Sequence, residues 1–532
     1  MIEELLISNV RLFEGPEEWR IPLSGLTVFC GTNSAGKSTI LKTLLLLCQT
    51  NSDADAPSRV GRLRLGGGLV DFGAYQSIAS HNRIDQDVMI GVTMRENMEI
   101  RHLRSLLKIR GGDAALAEIP SPITELEYSL TSRFTCGLRH PKSPDSTRDQ
   151  KSSTSSLKTG QQHVFLKKAS FEFHAEGDLE LSWTIVSDDE SDAYHILLPQ
   201  DYFGASSRGF QLMEIGRELE TKQVRVEVLL RGLLPIGFWA QSKTKKQKGP
   251  EGGADWAFFP LLPLLRECSR DLEIELDNVH YLGPLRSPAR RYYMTHLDID
   301  PKMDPAGEFL PYVLRDQRDQ DVHYVPPKGN KVLHKPLKYV LDSWMLYLRT
   351  GEYTEADAEH DLHEIDVASM KDVLLEFKLK TFGGEAHALA DSGFGYSQIL
   401  PIVVRGLIAR FGSTIIIEQP ELHLNPAIQV RLAEFLASLV LAGKRLLIET
   451  HSEHIVNSLR VLSAEDPNGR LAPNCKIIYV DTESGRPQLK QLEIQLNGTI
   501  PEWPRQFFGE ALSLSARLLR AQNKKKENPV PE

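Results

Sequence analysis

The sequence predicts an α/β protein whose parallel-sheet core is assembled from the two ends of the chain, and three runs carry that expectation. Leu26-Thr-Val-Phe-Cys30 is a short apolar run, followed by a glycine-rich segment and then by the apolar stretch Ser38 to Cys48. Ser413-Thr-Ile-Ile-Ile-Glu418 is a β-branched run that ends in an acid, and Lys444-Arg-Leu-Leu-Ile-Glu-Thr-His451 is a second apolar run that ends in a histidine. Strands covered on both faces read as continuous apolar runs, and the polar residue ending such a run lies at the carboxyl edge of the sheet, where ligands bind.

The first run is followed by Gly31-Thr-Asn-Ser-Ala-Gly36-Lys37-Ser38-Thr39, which has the spacing GxxxxGK[ST] and lies between a predicted strand and a predicted helix. That is the context a phosphate-cradling P-loop requires. Gly31 and Gly36 open backbone angles closed to other residues, so the amides of Asn33, Ser34 and Ala35 can turn inward at the start of a helix. Lys37 is placed to reach β- and γ-phosphates, Ser38 to ligate Mg²⁺, and Thr39 completes the motif. ATP with Mg²⁺ is therefore the expected ligand pair.

The two late runs supply the rest of such a site. Glu418 is expected to hold Mg²⁺ through water, because that small cation keeps several of its own waters. His451, presented just past the last strand, is a candidate γ-phosphate or water sensor.

The segments G-T-N-S-A-G-K-S-T, D-S-G-F-G-Y-S-Q-I-L-P, I-I-I-E-Q-P-E-L-H-L-N-P and E-T-H-S-E-H-I resemble the ABC-type ATPases of the SMC/Rad50 superfamily. In particular they are similar to the overcoming-lysogenization-defect (OLD) type and its prokaryotic defence-associated relatives without a fused Toprim nuclease. The resemblance covers residues 1–50 and 386–462. It implies an ABC/SMC-like P-loop ATPase head, a mixed sheet with helices plus an antiparallel lobe, interrupted by an α+β insert. The expected domains are residues 1–165 as the first half of the head, with a flexible loop near 140–161, then 166–385 as the insert, then 386–532 as the second half.

Further roles come from the resemblance alone. Leu6 to Phe13 is similar to the family's first strand, in which Arg11 approaches the nucleotide. Asp391-Ser-Gly-Phe-Gly-Tyr-Ser-Gln398 looks like the signature segment that meets the γ-phosphate held by a second protomer, with Ser392, Gly393, Gly395, Ser397 and Gln398 as the candidate contacts. Its register is open by a residue or two, and a plain glycine-rich helix cap is the other reading. Gln76 is a candidate lid glutamine that touches Mg²⁺, against the plain reading of a turn residue.

One departure from the family pattern bears on mechanism. The residue after the strand-terminal acid is usually a glutamate that orients the attacking water, and here it is Gln419. An amide positions water but accepts no proton, so Glu421 two residues on is the candidate substitute and hydrolysis is expected to be slow or triggered by a partner. The catalytic set is thus Glu418, Gln419, Glu421 and His451. His423, His451 and His454 lack HExxH spacing, so no further metal is expected.

Composition sets outer limits. With 62 basic and 71 acidic residues the net charge is −9, so the chain is no general polyanion binder. Local basic clusters, Arg286, Arg290 and Arg291 and also Lys243, Lys245, Lys246 and Lys248, are candidate nucleic-acid contacts, against the plain reading of solvated charge. No heptad stretch long enough for an SMC-length arm occurs. Five cysteines without CxxC spacing fit a reducing cytosol, the acidic opening Met1-Ile-Glu-Glu speaks against a signal peptide, and no apolar run of about 18 residues suggests a membrane span. A cytoplasmic protein is expected. Residues 140–156, 243–253 and 523–532 are too polar to bury anything. The end at Glu532 is expected to leave no room for a nuclease domain, and Ile477 to Glu483 reads as a last sheet strand in preference to a metal-binding remnant.

The expected function is an ATP-binding, ATP-hydrolysing subunit that joins itself head to head, as a dimer or higher oligomer, and regulates a separate effector protein, a nuclease or toxin, in anti-phage defence. Two alternatives stand beside it: a scaffold that holds ATP without consuming it, and a DNA-repair ATPase that acts on DNA directly.

Overall fold

The computed structural model of the chain describes residues 1–15, 17–52, 57–99, 125–138, 163–175, 179–187, 194–197, 225–241, 261–294, 304–356, 365–370, 373–380, 386–391, 394–483, 485–504, 517–518 and 520. The polar segments expected to stay unfolded (140–156, 243–253 and 523–532), and with them Lys243, Lys245, Lys246 and Lys248, lie outside these residues. The chain forms two compact units, one of Met1–Leu23, Ser38–Tyr281 and Lys302–Pro305, the other of Ser24–Lys37, Leu282–Pro301 and Ala306–Glu532.

The first unit is built on an antiparallel sheet. Its strands run in the order Trp19–Pro22, Ile2–Ser8, Val88–Glu99, Glu125–Leu138, Val164–Ala175, Leu179–Ser187 and Tyr194–Leu197, with Arg62–Leu63 also pairing to Val164–Ala175. The reason is visible in the alternation of the long strands: Val88, Ile90, Val92 and Met94 are buried while Met89 and Thr93 between them are less so, the period of a sheet with one covered face. Tyr128 and Phe173 stack on that face with ring centroids 5.0 Å apart. The helix Lys37–Ser52 continues into this unit from Ser38, and its Gln49 Oε1 accepts from the amides of Leu69 and Val70 at 3.0 and 2.9 Å.

The units divide the chain differently from the expected domains. Residue 165 lies inside the strand Val164–Ala175, which is hydrogen-bonded along its length to Glu125–Leu138, so no domain edge falls there. Leu374–Lys380 and Ala386–Ala388, on either side of the expected edge at 385, both lie within the second unit. The first strand also stops earlier than expected, at Ser8, because Asn9 and Arg11 take φ of 58° and 50° and turn the chain out of the sheet.

The second unit carries the parallel core. Thr414–Glu418, Arg445–Glu449, Leu26–Gly31 and Cys475–Glu483 lie side by side and parallel, and Arg486–Glu493 adds an antiparallel edge. Every residue of Thr414–Glu418 and of Arg445–Glu449 is buried, as the unbroken apolar runs require. The helices Leu337–Thr350, Phe394–Ile408, Pro426–Leu441 and Glu453–Glu465 cover the sheet and share one core with it; Trp344 packs edge-on to Phe435 at 5.0 Å and 76°. Register places Glu418 opposite Glu449 and Glu449 opposite Phe29. The glycine-rich loop, Glu418 and Thr450 therefore leave the sheet at one edge. The fold is an α/β P-loop head with a mixed sheet, accompanied by an antiparallel lobe.

All five cysteines are free and buried. Among the described residues no helix is long and apolar enough to cross a membrane.

Candidate nucleotide site

The loop after Leu26–Gly31 has the shape its glycines predict. Gly31, Ser34 and Gly36 adopt φ of 122°, 61° and 109°, and alternation of ordinary and left-handed residues turns successive amides toward one point, as a bound anion needs. A Cβ on Gly31 would lie 2.0 Å from the Val480 carbonyl oxygen, so only glycine fits. Thr32 fixes the loop's outer side by donating its hydroxyl to Asp481 Oδ1 at 2.9 Å and its amide to Val480 O at 3.1 Å. Asn33 and Ser34 are exposed at the mouth, and Ala35 is buried beneath it.

Lys37 folds over this loop. Its ammonium donates to the carbonyls of Thr32 at 2.6 Å and Gly31 at 3.2 Å. Burial lowers its pKa, and the charge of Glu449 and, more weakly, the Cys30 thiol oppose that shift. The loop thus holds a partly desolvated cation beside a backbone with three positive φ angles, and this fits a polyphosphate chain. Ser38 and Thr39 follow as the second and third residues of the helix Lys37–Ser52.

The acids at the neighbouring strand ends are organised by hydrogen bonds. Glu418 is buried. Gln419 beyond it takes φ 45° and is held there because its amide donates to Glu449 O at 2.7 Å. The Glu421 carboxylate accepts from the Thr450 hydroxyl at 2.9 Å and from the His451 amide at 2.7 Å. Glu421 therefore ties the loop after one strand to the loop after the next, and His451 sits exposed at the junction. Two helices start from these loops, one capped by Asn425 on the amide of Ile428, the other by Ser452 on the amide of Ile455.

The signature candidates divide. Ser392 and Gly393 lie outside the described residues. Gly395 opens the helix Phe394–Ile408 close to the loop 419–425; a Cβ there would sit 3.3 Å from His423 O. Ser397 and Gln398 were expected to face a second protomer and instead point inward. Gln398 is 2 % exposed and its Nε2 donates to Arg286 O at 3.4 Å. A side chain packed into its own unit has no reach to another.

Arg286 needs the larger correction. Expected as a nucleic-acid contact, it is 4 % exposed, and one guanidinium nitrogen donates to the Glu418 carbonyl at 2.9 Å. Burial against the carboxyl edge removes it from any phosphate backbone. Arg290 and Arg291 are exposed but paired, with Glu308 and Asp391 respectively, each at 2.9 Å. Sequence reasoning missed that Arg286 belongs to the site, that Glu449 is the charge facing Lys37, and that Asp481 anchors the loop. For Glu449, its place at the end of the strand Arg445–Glu449 was the available signal.

Arg11 and Gln76 lie together in the first unit. Arg11 Nε donates to Ser77 O at 3.0 Å and its guanidinium lies 4.7 Å from the Phe72 ring centre. Gln76 is exposed on the single helical turn Tyr75–Ile78.

Residues 333–456 match the family model of an AAA ATPase domain. This stretch spans Gly395 to His451. No curated protein matches the chain. Among solved structures, the SMC head bound to the C-winged helix domain of ScpA is 11 % identical with a TM-score of 0.35, covering 93 % of this chain and 98 % of that one. The SMC head domain from Thermotoga maritima is 7 % identical with a TM-score of 0.34, at 93 % and 99 % coverage. The SMC head domain with an extended coiled coil, bound to the C-terminal domain of ScpA from Pyrococcus furiosus, is 9 % identical with a TM-score of 0.31, at 97 % and 99 %. The match to an AAA ATPase domain supports ATP binding by the chain, and the glycine cradle under Lys37 lies at the same sheet edge as Glu418 and Glu449.

Proposed function

We propose that the chain is an ATP-hydrolysing subunit that pairs with itself through nucleotide-bridged heads and thereby controls a separate effector, a nuclease or toxin, in prokaryotic anti-phage defence. The observation that supports it most is the loop 31–37 with Lys37 turned into it, at the same sheet edge as Glu418 and the Thr450–His451 turn.

The residues divide the work. Backbone amides of Asn33 to Lys37 bind the phosphates and Lys37 neutralises them, exchanging its bonds to the Gly31 and Thr32 carbonyls for phosphate oxygens. Ser38 and Glu418 are the proposed Mg²⁺ ligands, and the ion when bound screens the charge that builds on the leaving phosphate. Gln419 positions water, and Glu421 holds His451 where it senses the γ-phosphate. Self-association rests on the resemblance of the signature segment, of whose described members Gly395, Ser397 and Gln398 the last two are buried; the effector rests on the resemblance to the defence-associated relatives.

A second reading has one observation in its favour. Gln419 replaces the usual carboxylate and is locked in a left-handed conformation by Glu449 O, which suits a head that holds ATP and seldom consumes it.

Steady-state ATP turnover separates the two, measured beside Lys37→Ala and Gln419→Glu, with bound nucleotide quantified after denaturation. Turnover that vanishes in Lys37→Ala supports the ATPase. ATP retained without turnover, and turnover appearing only in Gln419→Glu, supports the holder. No binding by the wild type refutes both.

A further inference from the structure

We infer that Arg286 is a positioning residue, the middle of an internal strap that couples the turn before the helix Phe394–Ile408 to the strand end carrying Glu418. The inference rests on the proposed ATPase reading for its purpose, but its geometry lies wholly within the second unit.

Residues 286–291 form the strap. At one end Arg291 pairs with Asp391 at 2.9 Å, on the turn that leads into the helix. In the middle the Gln398 amide, one turn into that helix, donates to the Arg286 carbonyl at 3.4 Å. At the other end the Arg286 guanidinium donates to the Glu418 carbonyl at 2.9 Å. Ser287 fastens the strap from behind, its amide to Ala306 O at 2.8 Å and its hydroxyl to Glu308 Oε1 at 3.0 Å, where Arg290 also pairs. The next residue after Glu418, Gln419, is bound through its amide to Glu449 O at 2.7 Å, and the Glu449 charge acts on Lys37. Side-chain bonds joined by short stretches of backbone thus link Asp391 and Gln398 to the strand ends at Glu418 and Glu449.

A buried guanidinium is costly to desolvate and is retained where its fork orients something. Here it holds a backbone carbonyl at the residue whose carboxylate is proposed to hold Mg²⁺. A shift of Asp391 and Gln398 pulls on the strap through Arg291 and through the Arg286 carbonyl, and moves Glu418 through the Arg286 guanidinium. Gln398, in this arrangement, works inside its own subunit.

The test uses the full chain with Arg286→Lys, which keeps the charge and loses the fork, and Gln398→Ala, which spares Arg286 and removes the weaker link. Amide hydrogen exchange is followed over residues 414–424 and, as a reference, over 475–480; turnover is followed as kcat and KM separately. Each substitution is expected to speed exchange at Gln419 about tenfold, the loss of roughly one hydrogen bond's protection, with the reference strand unchanged. The kcat is expected to fall about ten- to a hundredfold at nearly constant KM, because a misplaced carboxylate harms the reaction more than the binding. The double variant is expected to be no worse than the worse single one, since both break the same chain. Exchange that speeds up equally in the reference strand, or that stays unchanged at Gln419 in both variants, overturns the inference. If the wild type shows no turnover, the ATPase reading fails by itself, and the exchange comparison still decides whether the strap couples the two elements.

Discussion

Replacing Gly31 by alanine places one methyl group where the fold has no space, and its cost can be built from parts. The new Cβ would lie 2.0 Å from Val480 O and 2.8 Å from Val480 C, so the strands Leu26–Gly31 and Cys475–Glu483 must open by about an ångström, at a cost of about 1–3 kcal/mol by the usual toll of overpacking. The φ of 122° adds about 1–3 kcal/mol for any residue with a side chain. Opening also breaks the bond from the Thr32 amide to Val480 O, 3.1 Å in the intact fold, worth about 1 kcal/mol. The total is roughly 3–7 kcal/mol, or a melting temperature lower by roughly 6–28 °C for a unit of some 250 residues. Gly412 supplies the control, because its φ is 79° while nothing lies within 4 Å of its would-be Cβ. Gly412→Ala therefore shows the conformational term alone, about 1–2 kcal/mol. Thermal unfolding by circular dichroism of the two variants and the wild type measures the difference. Gly31→Ala no more than about 1 kcal/mol below Gly412→Ala would refute the close approach of the two strands, since overpacking should exceed that.

Two further outcomes follow from the same network. Lys444 is buried, donates to the carbonyls of Gly406, Leu407 and His323 at 2.6, 3.1 and 3.3 Å, and is driven by burial down to about 7. The unfolded chain holds that proton up to a pKa near 10.4, so between about pH 7 and 10 it binds more protons than the fold does and stability rises with pH, by at most about 1.4 kcal/mol per unit; urea midpoints between about pH 7 and 9 should show that rise in the wild type and its loss in Lys444→Met. Glu421→Gln turns one acceptor into a donor facing the Thr450 hydroxyl or the His451 amide, which should cost about 1–2 kcal/mol of stability and at least about tenfold in turnover, read by unfolding and by steady-state assay.

The parallel core was legible because its strands are buried on both faces: Thr414–Glu418 and Arg445–Glu449 announce themselves as unbroken apolar runs, and Gly31 and Gly36 take the positive φ their spacing implies. What the sequence concealed were pairings between distant segments. Arg286, Arg290 and Arg291 look alike in a row of basic residues, yet one is buried against Glu418 and two are paired on the surface, because the chain at 286–291 crosses the edge of the sheet. The run from His163 to Phe173 has the right alternation for a strand, but alternation does not name a partner; its pairing with Glu125–Leu138 erased the boundary expected at 165. Gln398 reads as a polar residue in a glycine-rich turn, and only the fold shows that it faces the interior.

The strand Leu26–Gly31 lies between Arg445–Glu449 on one side and Cys475–Glu483 on the other. Both neighbours are made late. At a synthesis rate of about 5–20 residues per second, roughly 20–80 s separate the emergence of this strand from that of its first partner. For that interval the run Leu-Thr-Val-Phe-Cys is an unpaired apolar segment on a ribosome-bound chain, and the loop that is to grip phosphate has no wall behind Gly31. On the proposed reading the loop therefore has its full wall only once translation has passed residue 480, and a fragment cut short before Arg445 should bind chaperones in preference to nucleotide.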